Sequence, residues 1–385
     1  MRHVLFMTLT LTLLALSISC HAEGLFGGSN KLDPAFCKEH NIRQTVIYVD
    51  DTMLVSQQNG WLLNIYEKLR ATLVPGERTT LVELSPTTGQ STERWTGCWP
   101  AYTSAEANKL ASDTYIFSTS PLADLKTQQG LFARDLGVAV ASIEKAHARP
   151  APQVIIDFNN PPRQSIIRAL ASDGARYAHT QETIRAILYS DLAENSDLGS
   201  VFEPLPNPPV DYGLKLGTFL RRSVFYVFGM GTDIKGDGSV QDAIRIFWTA
   251  AFQSMAANIG GMGTDLGVPN IVPVSAHNFD LLLKDGSSTL TGRLSLLTGS
   301  DGTLVDSWLG IVRLRTAALN GTYGCGGPVD TPTCTLQATT TGGVVTMSPS
   351  ETVSLSSHDS ATMTGAIGVQ GSNVNLPLAA APTQN

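Results

Sequence analysis

Thr45-Val46-Ile47-Tyr48-Val49-Asp50-Asp51-Thr52 is a β-favouring run that stops at two adjacent acids. It lacks the polar alternation of a half-exposed strand, so it reads as a parallel strand buried on both faces with an acidic carboxyl end. Downstream, Trp61, Ile65, Leu69 and Leu73 recur every fourth residue beside Leu62 and Tyr66, and Pro75-Gly76 closes the segment. That spacing predicts a helix with one apolar face. Residues 80–84 give a second strand, Pro86-Thr87-Thr88-Gly89 a turn, and residues 92–96 a return strand, as in a hairpin at a sheet edge.

The same design repeats outward. Leu122, Leu125, Phe132, Leu136, Val140 and Ile143 mark a helix that starts near Pro121 and ends near Arg149-Pro150. Residues 183–189 form an apolar run ending in Ser190-Asp191, and residues 222–228 another ending in Gly229-Met230-Gly231. Pro204, Pro206, Pro208 and Pro209 keep the stretch between them from being helical throughout. A last helix is expected from Ser239 through Ile244, Phe247, Ala251 and Met255. Strands alternating with amphipathic helices predict an α/β fold: a mostly parallel, doubly wound, Rossmann-like sheet flanked by helices. Ligands meet such sheets at the carboxyl ends of the strands, which nominates Asp50, Asp51, Thr52, Ser190, Asp191 and the Gly229 turn. Gly229-Met230-Gly231-Thr232-Asp233 recurs as Gly261-Met262-Gly263-Thr264-Asp265; the two copies read as glycine turns leaving a strand and a helix.

After residue 274 the pattern changes to short Thr-, Val- and Leu-rich segments at 278–283, 289–296, 303–314 and 343–347, punctuated by Gly, Asp, Ser and Asn. They predict a smaller all-β carboxyl-terminal domain of antiparallel strands. The expected organisation is a signal peptide over 1–22, an α/β domain over 23–273, the β domain over 274–376 and a frayed tail over 377–385.

At 385 residues, 42% hydrophobic and 15% charged, the chain suits a packed globular protein rather than a disordered or collagenous one. Its net charge of −7 argues against nonspecific capture of nucleic acid or anionic lipid. Arg2 and His3 precede an apolar stretch over 4–18, a secretory signal pattern too short to span a bilayer. Cleavage after Ala22 would release a periplasmic or secreted product, whereas Ser17-Ile18-Ser19-Cys20 offers a degenerate lipobox that would make an outer-membrane lipoprotein through Cys20. In an oxidising compartment, local spacing pairs Cys37 with Cys98 and Cys325 with Cys334; free buried thiols are the alternative.

The order of these elements, with Thr45 through Thr52 first and Ala186-Ile187-Leu188-Tyr189-Ser190-Asp191 fourth, resembles a von Willebrand factor type A domain over residues 40–270. The resemblance implies a metal-ion-dependent adhesion site, in which a D-x-S-x-S run, a Thr and a distant Asp surround Mg²⁺. Carried over by position, the ligands are Asp50, Thr52, Thr119 and Asp191, and Leu54 replaces the last hydroxyl. The same topology places Cys37 and Cys98 at the pole opposite that site.

No G-x-S-x-G, H-E-x-x-H or Walker A pattern is present, so no enzyme activity is expected. His147, His179 and His277 read as surface or loop histidines, Glu194-Asn195-Ser196-Asp197 as a solvated loop, and Trp95 and Trp99 as packing around Cys98. The expectation is an exported bacterial cell-envelope protein that binds another protein, with Mg²⁺ optional. The alternatives are carbohydrate binding by the β domain through Trp308 or Tyr323, and an unrecognised hydrolase.

Overall fold

A computed structural model describes residues 31–38, 42–55, 60–112, 121–148, 156–157, 159–235, 238–312, 315–328, 332–341, 350–357, 362–369 and 375–383. The leader region with Cys20, the loop carrying Thr119 and the segment 343–347 therefore lie outside the described residues.

The first unit is built on β1 (Arg43–Asp50), β2 (Arg78–Ser85), β3 (Gln90–Cys98), β4 (Thr183–Tyr189), a two-stranded ribbon of β5 (Asn195–Ser196) and β6 (Gly199–Ser200), then β7 (Ser223–Phe228) and β8 (Asn258–Met262). The main sheet has the order β3-β2-β1-β4-β7-β8. Every pairing in it is parallel except β2 with β3, the edge hairpin expected from the Pro86–Gly89 turn. β1 is buried on both faces because its side chains serve two cores. Ile47 and Val49 pack with helices α1 (Gly60–Thr72) and, beyond α2 (Ser104–Ser112), α3 (Pro121–His147). Val46 and Tyr48 pack on the other side with α4 (Ile166–Ser172) and α5 (Gly174–His179). After the short α6 (Tyr212–Leu216), α7 (Gly238–Ser254) joins that second core through Ile244, Phe247, Trp248 and Phe252. The sheet is thus doubly wound, and burial of Leu- or Phe-sized side chains at about 1.5–3 kcal/mol each supplies its stability.

The second unit is a closed antiparallel barrel of β9 (Ser275–Asp285), β10 (Ser288–Thr298), β11 (Ser307–Ile311), β12 (Thr316–Gly326), β13 (Thr333–Thr341), β14 (Glu351–Ser356), β15 (Met363–Val369) and β16 (Asn375–Pro382). Each strand pairs with its sequence neighbour, and β16 returns to β9. β13 and β14 show the two-residue period plainly: Cys334, Leu336, Ala338, Val353 and Leu355 point inward, while Thr335, Gln337, Thr339, Thr352 and Ser354 face solvent. Apolar inside and polar outside is the reverse of a transmembrane barrel. No described helix is long and apolar enough to cross a membrane.

Two expectations about this unit are corrected. Residues 377–382 are no frayed tail; they belong to β16, which seals the barrel because Leu378 and Ala380 fill its interior. Nor do Trp308 and Tyr323 offer sugar-stacking faces, since only 8% and 7% of their surfaces are exposed. Trp308 packs into the α/β core and donates its indole N–H to Thr183 Oγ1 at 3.2 Å. Tyr323 lies in the barrel core beside Phe279.

The barrel docks on the amino ends of the parallel strands. Thr183 meets Ser295, Asn258 accepts from the Thr316 hydroxyl, and Thr341 donates to the Ile259 carbonyl. Beneath lies a buried ionic cluster. Glu77 accepts from Arg43 at 2.8 Å, from Arg185 at 3.2 Å, from the Thr45 hydroxyl and from the Val74 N–H. Asp306 reaches in from the barrel and accepts from Arg43 and, at 2.8 Å, from the Tyr226 hydroxyl. Burial alone would raise the Glu77 carboxyl, but Arg43 and Arg185 outweigh it and hold the group below the usual carboxylate range. Both expected disulfides are formed; Cys37–Cys98 sits at this same amino-end pole, and Cys325–Cys334 joins β12 to β13.

Candidate functional site

The opposite pole is a rim of loops leaving the carboxyl ends of β1, β2, β4, β7 and β8, and hydrogen bonds tie those loops into one surface. The Ser190 N–H donates to the Phe228 carbonyl at 3.1 Å and the Gly231 N–H to the Asp191 carbonyl at 2.9 Å. The repeated glycine fragments meet here: Gly229 and Met230 donate to the carbonyls of Thr264 and Gly263, both at 3.1 Å. The second copy leaves β8 rather than a helix, so the two copies are equivalent turns on adjacent strands. Gly229 has φ +85°, and a Cβ there would come within 3.1 Å of the Tyr189 ring and 3.3 Å of the Ser190 carbonyl, so both strain and contact require glycine.

Asp50 and Asp191 fall on the same rim because β1 and β4 are parallel neighbours, with Val49 opposite Tyr189. Asp50 is fully buried and accepts from the Thr52 N–H at 3.0 Å, the Thr52 hydroxyl at 2.6 Å and the Ser190 hydroxyl at 2.8 Å. Burial drives its carboxyl up to about 6, against the pull of those three donors. Asp191 accepts from the Ala193 N–H at 2.9 Å. Between them in the chain, Ser190 Oγ also accepts from the Leu192 N–H, and Leu192 itself is buried with φ +61°. A bulky residue in that region stores about 1–3 kcal/mol of backbone strain, and such strain clusters at functional loops.

The implied Mg²⁺ cradle is incomplete as described. Asp50 is turned toward three donors of its own protein, Leu54 is buried hydrocarbon where a hydroxyl would ligate, and Thr119 lies outside the described residues. Mg²⁺ asks for near-octahedral oxygen coordination, and this set supplies few oxygens toward it.

Immediately beside it stands a group that the sequence reading missed. His147, at the last position of α3, is 37% exposed, as a surface histidine should be, but it has two acid partners that the sequence did not show. Its Nε2 is 3.0 Å from Glu83 Oε1 and its Nδ1 3.8 Å from Asp51 Oδ2. Glu83 also pairs with Arg94. One ligand atom from each of Asp51, Glu83 and His147 lies within 4.8 Å of the others. Burial raises the Asp51 carboxyl above its ordinary value, while Ser85 and His147 pull it back. Glu194 is likewise not in a solvated loop: it is buried, accepts from the Ile167 N–H at 2.9 Å and the Ser196 hydroxyl at 2.6 Å, and is pushed up to about 7 by burial.

No family model matches the chain, and no curated protein matches it. Among solved structures it is similar to the ArnB paralog VWA2 from Sulfolobus acidocaldarius, at 10% identity and a TM-score of 0.32. The match covers 82% of this chain and 65% of that one. The fold assignment rests on the strand order, the two-sided helical layers and the edge hairpin described above.

Proposed function

We propose that this chain is a non-catalytic binding module of an exported protein, and that it captures a protein partner on the rim at the carboxyl ends of β1, β4, β7 and β8. The observation that carries this reading is an imbalance of buried charge. Among the described residues, the buried acids Asp50, Asp51 and Glu83 cluster at the rim with Arg94 and His147, whereas the acids and guanidiniums of the amino-end cluster match one for one. Acids held in low dielectric in excess of their cations attract a basic or metal-bearing partner. Export is supported by the two disulfides, which persist in oxidising compartments.

A photo-crosslinker at exposed Thr232 on the rim tests the interface, with one at Thr352 on the outer barrel wall as comparison. An adduct from position 232 that disappears in Asp191→Asn is expected. An adduct from position 352 that is indifferent to Asp191→Asn would move the interface to the barrel.

A further inference from the structure

We infer that Asp51, Glu83 and His147 form a divalent-cation site of the zinc or manganese class, separate from the Asp50, Thr52 and Asp191 set and independent of whether the rim captures a protein. Three elements converge to make it: the 3₁₀ turn Asp51–Met53 after β1, the strand β2, and the carboxyl end of α3. The His147–Glu83 pair already has the spacing that a metal needs, and Asp51 stands close to both residues. Two ligands bound about 2.0–2.1 Å from tetrahedral Zn²⁺ lie about 3.3 Å apart. His147 Nε2 and Glu83 Oε1 are 3.0 Å apart, His147 Nδ1 and Asp51 Oδ2 are 3.8 Å apart, and one ligand atom from each of the three residues lies within 4.8 Å of the others.

The donor chemistry selects the ion. An imidazole nitrogen with two carboxylates suits Zn²⁺, Mn²⁺ and their neighbours, and discriminates against Mg²⁺ and Ca²⁺, which take oxygen ligands. The carboxylates are buried and the imidazole stands at the surface, so protein closes one side and the other is open to water or to a partner's ligand. The surroundings favour a cation. The carbonyl end of the 27-residue α3 carries partial negative charge at His147. Arg94 holds the second oxygen of Glu83 and so turns Oε1 toward the imidazole, the kind of outer support that ligating carboxylates receive. Both described disulfides are closed, so their four sulfurs do not compete for the ion.

The rival reading is an imidazole held between two carboxylates by hydrogen bonding alone, with no ion. Competition against a chromophoric chelator separates the two, using the untagged, oxidised full chain with Zn²⁺, Mn²⁺ and Mg²⁺, and Co²⁺ absorption as a second readout. The expected result is one Zn²⁺ per chain, not displaced by Mg²⁺. Affinity should fall about tenfold or more in His147→Ala and in Glu83→Gln and stay unchanged in His179→Ala. Because His147 is a partly exposed helix-terminal residue, His147→Ala leaves the fold intact, which circular dichroism verifies. Failure to bind Zn²⁺, or binding that survives His147→Ala, overturns the site. Loss of the Thr232 crosslink with Zn²⁺ binding intact would instead strike only the protein-capture reading.

Discussion

The two ends of the parallel sheet bury ionisable side chains in opposite ways. At the amino ends, Arg43 and Arg185 face Glu77 and Asp306, and hydroxyls of Thr45 and Tyr226 complete the shells. There the neighbouring guanidiniums hold Glu77 ionised. At the carboxyl ends, burial outweighs the available donors and pushes Asp50 up to about 6 and Glu194 up to about 7. The first arrangement is a joint, matched in charge and closed to water. The second holds carboxylates away from water without matching them, which a fold tolerates where something else supplies the match.

The pH dependence sharpens this contrast, because the two ends have opposite signs. Glu77, with its lowered folded value, contributes stability above its unfolded value, and that contribution is lost as pH falls through the folded value. Glu194, raised from 4.5 to about 7, binds its proton more tightly folded than unfolded, so its contribution weakens as pH rises between those values.

The largest effect is expected from breaking the joint. Asp306→Ala leaves two buried guanidiniums on one carboxylate and should cost about 3–5 kcal/mol in urea denaturation. Asp306 has φ +48°, a region that Asn also tolerates, so Asp306→Asn isolates the loss of charge from the change of backbone preference. Next, replacing Cys37 and Cys98 together by Ala opens a loop of 61 residues and should cost about 4 kcal/mol, read in the same way. Equal stability of that variant and the parent would mean that the amino-end pole holds without its staple. The smallest is at the other end. Glu194→Gln should remove a slope worth about 3 kcal/mol between pH 4.5 and 7 and leave the variant more stable than the parent at pH 8. A steeper slope in the variant would reverse the assignment.

Much of this was legible in the sequence, for reasons that particular residues make clear. Val46 to Val49 announced a central strand because both of its faces are buried, and Trp61, Ile65 and Leu69 announced a helix because only one of its faces is. Asp50 and Asp191 could be placed on one rim from strand topology alone. The closing strand of the barrel escaped because Pro377, Ala379 and Ala381 dilute its alternation with small residues and a proline, and the inward Leu378 and Ala380 are a weak signal. The joint escaped because Arg43 and Asp306 are 263 residues apart, and no local spacing reports such a pair. His147 escaped for the same reason: its partners lie on two distant strand ends, and only the length of α3 brings the imidazole to them.

Docking the barrel at the foot of β1, β4 and β8 has a mechanical consequence. A pull exerted on the rim and resisted by the barrel would run along the strands, perpendicular to the inter-strand hydrogen bonds, so neighbouring strands would have to slide past one another rather than peel apart. The chain is built like a tether whose grip and handle are in line, with Arg43 and Asp306 as its coupling pin.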